Sequence, residues 1–316
     1  MTEAQTATDT PEWFERALRT PGSSHSVEIQ GCAIHYLSWG DPALPGLLLV
    51  GASGGHAHWF DHIGPMLSDQ FHVAAIDLAG CGDSGRRETY TREHVIAEIA
   101  GVLRHSGMLQ HAIAPAVVGH SAGAQCAVRA AQVHGKDWLG VIAVDGLRYA
   151  ELETDDAIPH FRSLDPNAPP PPRRAPKVYE SLEDAAARFR LSPPPRKEVG
   201  NEFIIRHIAR QSFRQVENGW ATKFDTAQTR VIDLAFELTG ALKDLDCRAA
   251  SLYGEFSHLT DETAGPVVTA MNAGKVTSFT IPGTSHYPQI DSPFAFITAI
   301  KGIALTWLAE ERRAGR

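Results

Sequence analysis

Short apolar runs bounded by glycine or proline recur through the first half of the chain: Gly46 to Val50, His72 to Ile76, Ile113 to Val118 and Leu139 to Val144. Runs of this length without polar alternation are what strands covered on both faces require. Between them, Arg92 to Leu103 and Ala122 to Val133 space their apolar residues as helices do. Strand alternating with helix predicts a parallel sheet with helices on both faces. Ahead of this block, Ser26 to Gln30 and Ala33 to Ser38 flank Gly31 and predict a hairpin that adds an antiparallel edge. The same rhythm returns in Ala249 to Tyr253 and Val276 to Ile281.

The pattern breaks between about Arg148 and Phe236. Ten of the twenty prolines fall between residues 151 and 200, clustered at Pro169 to Pro172 and Pro193 to Pro195. A central strand cannot hold them, because proline lacks the N–H that a ladder needs. Asn201 to Val216 nevertheless carries Phe203, Ile204, Ile205, Ile208 and Phe213 at helix-like spacing. The expected organisation is an N-terminal extension over residues 1–25, a core domain formed by 26–147 and 237–316, and an inserted helical cap over 148–236. The aromatic residues Phe203, Phe213, Trp220 and Phe224 are expected to form the core of that cap. No internal repeat occurs.

Composition narrows the function classes. The 316 residues are 43% hydrophobic and 21% charged, ordinary globular usage that excludes a disordered or coiled-coil chain. The formal charge is −8, and no stripe of Lys and Arg forms, so nucleic acid is not an expected partner. Cys32, Cys81, Cys126 and Cys247 lie far apart with no CxxC pair, which fits reduced thiols in a cytoplasm. The first ten residues carry neither a basic n-region nor an apolar h-region, and no run approaches the ~20 apolar residues that span a bilayer. A cytoplasmic protein with a frayed N-terminus and no membrane partner is expected, with a homodimer as the candidate assembly.

Two stretches fit G-x-S-x-G: Gly51-Ala52-Ser53-Gly54-Gly55 and Gly119-His120-Ser121-Ala122-Gly123. A nucleophile elbow needs a strand, a tight turn that strains the serine, and then a helix, with small flanking residues so that backbones can pass. Only the second match supplies all of these, which makes Ser121 the candidate nucleophile. The first suits a loop that offers backbone N–H groups to an anion. A serine is unreactive at its own pKa and needs a base held in the right tautomer by a carboxylate. His286, after the last core strand and before Tyr287-Pro288, is the strongest candidate base. His120 beside the nucleophile reads as structural.

Taken together, four segments resemble the α/β-hydrolase superfamily, in its capped branch of esterases, lactonases and carbon–carbon bond hydrolases. They are Leu48 to Trp59, Asp77-Leu78-Ala79-Gly80-Cys81-Gly82-Asp83-Ser84, the Ser121 elbow, and Ile281-Pro282-Gly283-Thr284-Ser285-His286. The resemblance implies an α/β-hydrolase fold, with a mostly parallel central sheet, helices on both faces and an inserted helical cap. It also implies hydrolysis by Ser121 and His286 with no cofactor and no metal. Ala52 and Ala122 would provide the oxyanion N–H groups, although Val50-Gly51 stands where the family usually writes His-Gly. Most members place the acid in a segment like Gly-Glu-x-Asp, and here that segment reads Gly254-Glu255-Phe256-Ser257. Serine cannot supply the charge, so the role falls to Asp145, Asp261 or Glu255. Asp145 ends the strand Leu139 to Val144, where a minority of the superfamily places its acid, and it is the preferred candidate.

The expected substrate is a small apolar ester or lactone. A carbon–carbon bond hydrolase and a non-catalytic ligand-binding homologue are the alternatives, whereas enzymes with an aspartate nucleophile are opposed by Ser121. Two further motifs carry less weight. His56-Ala57-His58-Trp59-Phe60-Asp61-His62 resembles a zinc signature with one residue too many. Gly80-Cys81-Gly82-Asp83-Ser84-Gly85 fits GxGxxG, but Arg86 to Tyr90 intervenes before a helix can start, so no dinucleotide is expected there.

Overall fold

The computed structural model describes residues 10–147, 175–195, 201–231, 240–257, 268–270 and 272–315. Helix α1 (Glu12–Leu18) leads into the hairpin β1 (Ser23–Ile29) and β2 (Cys32–Trp39), with Gly31 at φ 74 in its turn. The next elements are β3 (Gly46–Val50), the single turn α2 (Gly64–Leu67), β4 (His72–Ile76), α3 (Arg92–His105), β5 (Ala116–His120), α4 (Ala122–His134) and β6 (Gly140–Val144). After an intervening segment, β10 (Arg248–Gly254), β11 (Thr277–Ile281), α7 (Pro288–Asp291) and α8 (Pro293–Arg313) complete the frame.

These strands make one eight-stranded sheet in the order β1-β2-β4-β3-β5-β6-β10-β11. Pairing is antiparallel where β2 meets β1 and β4, and parallel from β4 through β11. Because successive strand residues face opposite ways, Leu47 and Leu49 enter one apolar core with α8, while Leu48 and Val50 enter the other with α3 and α4. Both faces are thus covered, as the unbroken apolar runs require. β5 starts three residues later than expected, since Pro115 cannot donate to the ladder, and it runs through Gly119 to His120. Helix α8 is long and apolar enough, by length and composition, to cross a membrane. Its Phe296, Ile300, Ile303 and Leu308 are buried in the first core.

The N-terminal extension is more ordered than expected in its described part. Phe14 of α1 is buried and lies edge-on to Phe203 at 5.0 Å. Residues 1–9 lie outside the described residues.

Between β6 and β10 the expected helical cap is mixed in the residues described. It contains β7 (Val178–Tyr179), α5 (Leu182–Ala187), α6 (Glu202–Gln211), β8 (Phe213–Val216) and β9 (Gly219–Thr222). The strands form a small antiparallel sheet in the order β7-β9-β8. The helix expected through Val216 stops at Gln211, because the chain turns back at Glu217-Asn218 into a hairpin that pairs Val216 with Gly219. Phe213, Ile204 and Ile208 are buried as expected, whereas Phe203, Trp220 and Phe224 are half-buried.

Candidate active site

Val50 and Gly119 are partners on the adjacent parallel strands β3 and β5. Ala52 and Ser121 each stand two residues beyond that rung, at the carboxyl edge of the sheet. Ser121 adopts φ 54 and ψ −121, a backbone region costly for a side-chain-bearing residue and tolerated where the surroundings enforce it. The enforcement comes from glycines. A Cβ on Gly119 would come within 2.6 Å of Ala124 Cα, and one on Gly123 within 2.5 Å of Val50 O. Backbones therefore pass in contact around the serine, and the Ser121 N–H donates to Val144 O at 2.8 Å.

His286 reaches the serine from the loop after β11. Thr284 Oγ1 donates to Ile281 O at 2.7 Å, and both the N–H and the Oγ of Ser285 donate to Asp291 Oδ2 at 2.6 Å, so the loop is braced on either side of the ring. His286 Nε2 lies 2.9 Å from Ser121 Oγ, and His286 Nδ1 lies 2.8 Å from Asp145 Oδ1. A carboxylate only accepts, so Nδ1 carries the proton and the bare Nε2 accepts from the serine hydroxyl.

Asp145 follows β6 at φ 43 and is fully buried. Its Oδ1 also accepts from Ser257 Oγ at 2.5 Å, and its Oδ2 accepts from the Gly254 N–H at 2.7 Å. Both oxygens therefore meet donors. Of the three candidate acids, the structure brings Asp145 to the histidine. Glu255 is exposed and instead accepts from the Gly283 N–H at 2.7 Å, which supports the histidine loop from outside. Asp261 lies outside the described residues. Ser257, the residue that displaces the usual aspartate, had no expected role, yet it donates to the acid. Its position one strand over from Asp145 was the available signal.

Ala52 and Ala122 are both nearly buried, and among the described residues neither N–H donates to a protein acceptor. Ala122 opens α4, where first-turn amides have no partner in the helix. The loop carrying Ala52 is held by Asp77, a buried residue after β4 for which the sequence pattern signals no separate role. Asp77 Oδ1 accepts from the Ala57 N–H at 2.6 Å, and Oδ2 accepts from His35 Nδ1 at 2.7 Å and the Asp83 N–H at 2.8 Å. Burial pushes its carboxyl up, but the His35 bond and neighbouring histidines outweigh that and hold it below the ordinary range. Ligand atoms of His35, Asp77 and Asp83 cluster closely enough to suggest a cation. The Asp77 oxygens are already occupied by donors, which marks the cluster as a brace.

The two discounted motifs resolve accordingly. His56 Nε2 meets Ser212 Oγ at 2.9 Å, His58 Nδ1 meets Asp61 Oδ2 at 2.9 Å, and His62 Nε2 donates to Gln289 O at 3.0 Å. The three rings thus serve three separate partners. Gly80 to Gly85 is a closed turn with the Gly80 N–H on Gly85 O, and the next helix starts only at Arg92.

The described residues between β6 and β10 sit against this edge. His207 of α6 lies 2.7 Å from Asp61 Oδ2, the Asp225 N–H donates to Gly80 O at 2.7 Å, and Tyr287 Oη donates to Pro193 O at 2.7 Å. Burial pushes the Asp61 carboxyl up, but bonds from His207 and His58 outweigh it and hold it below its ordinary value.

Comparison with known proteins agrees with the fold. A curated 2-(acetamidomethylene)succinate hydrolase of Mesorhizobium japonicum is 29% identical over 242 residues, spanning 74% of this chain and 78% of that protein. The crystal structure of E-2-(acetamidomethylene)succinate hydrolase superposes with a TM-score of 0.72 at 23% identity, covering 89% of this chain and 98% of the other. A thioesterase domain from the curacin biosynthetic pathway superposes at 0.68 with 21% identity, covering 90% and 99%. The model of the alpha/beta hydrolase family matches residues 47–299, and with its eight-stranded, mostly parallel sheet this chain belongs to that family.

Proposed function

We propose that this protein is a cofactor-independent serine hydrolase that cleaves a carboxylic ester or lactone of small, apolar character. The observation that carries the reading is the pair of contacts on His286, 2.9 Å to Ser121 Oγ and 2.8 Å to Asp145 Oδ1. Ser121 Oγ attacks the carbonyl carbon while its proton passes to His286 Nε2, and Asp145 stabilises the imidazolium. The N–H groups of Ala52 and Ala122 receive the oxyanion, each donor contributing ~3 kcal/mol in the transition state. Collapse expels the alkoxide, which takes the proton from Nε2 and leaves an acyl-serine. Water, deprotonated by the same nitrogen, then releases the acid and restores the serine. The segment over residues 148–236 acts as a cap that excludes water and selects the substrate.

The similarity to the Mesorhizobium hydrolase favours a second reading, in which the bond cleaved lies in an unsaturated carboxylic acid bearing an acylamino group. The same nucleophile and base would serve, with a nitrogen leaving group. A carbon–carbon bond hydrolase is the remaining variant of the same site. All three predict that a fluorophosphonate probe labels Ser121 in the wild type and not in Ser121→Ala.

The deciding experiment is a panel of p-nitrophenyl esters, lactones, acylamino-acrylates and vinylogous diketones, run on both proteins. Turnover of esters or lactones that drops at least ~10⁴-fold in Ser121→Ala supports the first reading. Turnover confined to the acylamino-acrylates or the diketones transfers the assignment to the corresponding alternative. Absence of both labelling and turnover would make the chain a binding protein.

A further inference from the structure

We infer that His120 and Gln289 are positioning residues, which tie the main chain of His286 to the end of the nucleophile's strand and so set the Ser121 to His286 distance. The inference rests on the serine hydrolase reading, in that it assumes these two side chains react. His120 is the last residue of β5 and directly precedes Ser121; its side chain is 2% exposed, and that of Gln289 is fully buried. His120 Nε2 lies 2.7 Å from the carbonyl oxygen of His286. A carbonyl only accepts, so Nε2 carries the proton, and the bare Nδ1 accepts from Gln289 Nε2 at 3.0 Å. The main-chain carbonyl of Gln289 in turn accepts from His62 Nε2 at 3.0 Å.

One buried chain of hydrogen bonds therefore runs from His62 through Gln289 and His120 to His286. It joins the loop after β3, the end of β5 and the loop after β11, the three segments that carry the oxyanion loop, the nucleophile and the base. Thr284 and Ser285 hold the internal shape of the histidine loop, and the Phe256 N–H on Thr284 O ties it towards β10. Among the described residues, the tie from the end of β5 to the main chain of that loop is the one His120 makes. Apolar packing at this place would be non-directional, whereas buried hydrogen bonds are directional and favour one arrangement.

His120 is also suited to stand beside a base without interfering. Its ring centroid is 5.2 Å from that of His286. Burial first, and the His286 ring second, push its pKa down to about 3. The ring stays neutral at working pH and does not compete for the proton that His286 carries.

The test is steady-state ester hydrolysis, with thermal melts and fluorophosphonate labelling rates, on His120→Phe, His120→Gln and Gln289→Met. Loss of the tie misplaces the base, and a displacement of about 1 Å is enough for a rate loss near 100-fold. His120→Phe should therefore lose about 100-fold in kcat with KM within about threefold, and labelling should slow in parallel. His120→Gln, whose amide nitrogen can stand where Nε2 stands, should recover at least about tenfold of that loss. Folded His120→Phe with wild-type kcat, or His120→Gln no faster than His120→Phe, would overturn the inference. Should His120→Phe not fold, Gln289→Met decides in the same way: a kcat loss at constant KM supports the tie, and an unchanged kcat overturns it. Failure of the serine hydrolase reading looks different, since wild-type Ser121 would then not react with the probe.

Discussion

The carboxyl edge of the sheet and the segment between β6 and β10 are built on opposite terms. At the edge, backbones touch: a Cβ on Gly146 would collide with Ser121 O, and one on Gly254 would collide with Ser285 O. Ser121 and Asp145 both hold positive φ there, enforced by neighbours that cannot move. The described part of the intervening segment, by contrast, rests on the edge largely through side chains, such as His207 on Asp61 and Lys223 on Asp83 at 2.7 Å. Chemistry is thus carried by fixed geometry, and the covering element by contacts that can be exchanged. Changes in the first region should act on kcat and stability, and changes in the second on KM and substrate range.

Outside the reacting side chains themselves, Gly146→Ala should have the largest effect. Overpacking against Ser121 and Ala124 costs roughly 1–3 kcal/mol, so the melting temperature should fall by several degrees, with ester turnover reduced at least about 100-fold. Wild-type values for both would show that the edge is less rigid than described.

Acidification comes next. Burial pushes the pKa values of His56 and His62 down to about 4, and burial with the His286 ring pushes that of His120 down to about 3. Unfolded, these rings take up protons as pH drops below about 6.5, whereas the folded protein leaves them neutral. Stability should therefore fall as pH drops from 6.5 towards 4, by roughly 1 kcal/mol per ring at pH 5.5. Burial also lowers the His58 pKa, but the Asp61 bond and charge more than reverse this and leave it raised. Its contribution is fully present below pH 6.5 and is lost as pH rises through the raised value, so it opposes the trend only in part. Urea midpoints at pH 7.5 and 5.5 measure the difference, and a flat profile would contradict the burial of these rings.

Ser257→Ala removes one donor from a buried carboxylate, a bond to a charged group worth about 1.5–3 kcal/mol. It should slow kcat about tenfold while leaving KM nearly unchanged. Asp61→Asn should do the reverse, with kcat within about threefold and KM raised by a similar factor, because it loosens the hold on α6. A kcat loss as large as that of Ser257→Ala would place Asp61 with the chemistry instead of the cover.

The same contrast separates what the sequence made legible from what it did not. The parallel strands and the Ser121 elbow were readable because burial on both faces forces continuous apolar runs, and because two glycines must flank a strained serine. Asp145 was harder to place, since an acid at the end of either of two neighbouring strands can face the same imidazole. The choice rests on the 2.8 Å contact of Asp145 with His286 Nδ1, held by donors from Ser257 and Gly254, which spacing along one chain does not reveal. The small sheet β7-β9-β8 is not legible because Phe203 to Phe213 carries a helical period that overshadows the turn at Glu217-Asn218. Asp77 and His120 look like ordinary strand-end residues until the loops they hold are seen in space.

The central claim is that Ser121, His286 and Asp145 act as one unit, and the most direct measurement compares kcat for ester hydrolysis in Asp145→Asn and Glu255→Gln. Asp145→Asn should lose near 10⁴-fold, and Glu255→Gln should stay within about threefold of wild type. Near-wild-type kcat in Asp145→Asn with a collapse in Glu255→Gln would contradict it.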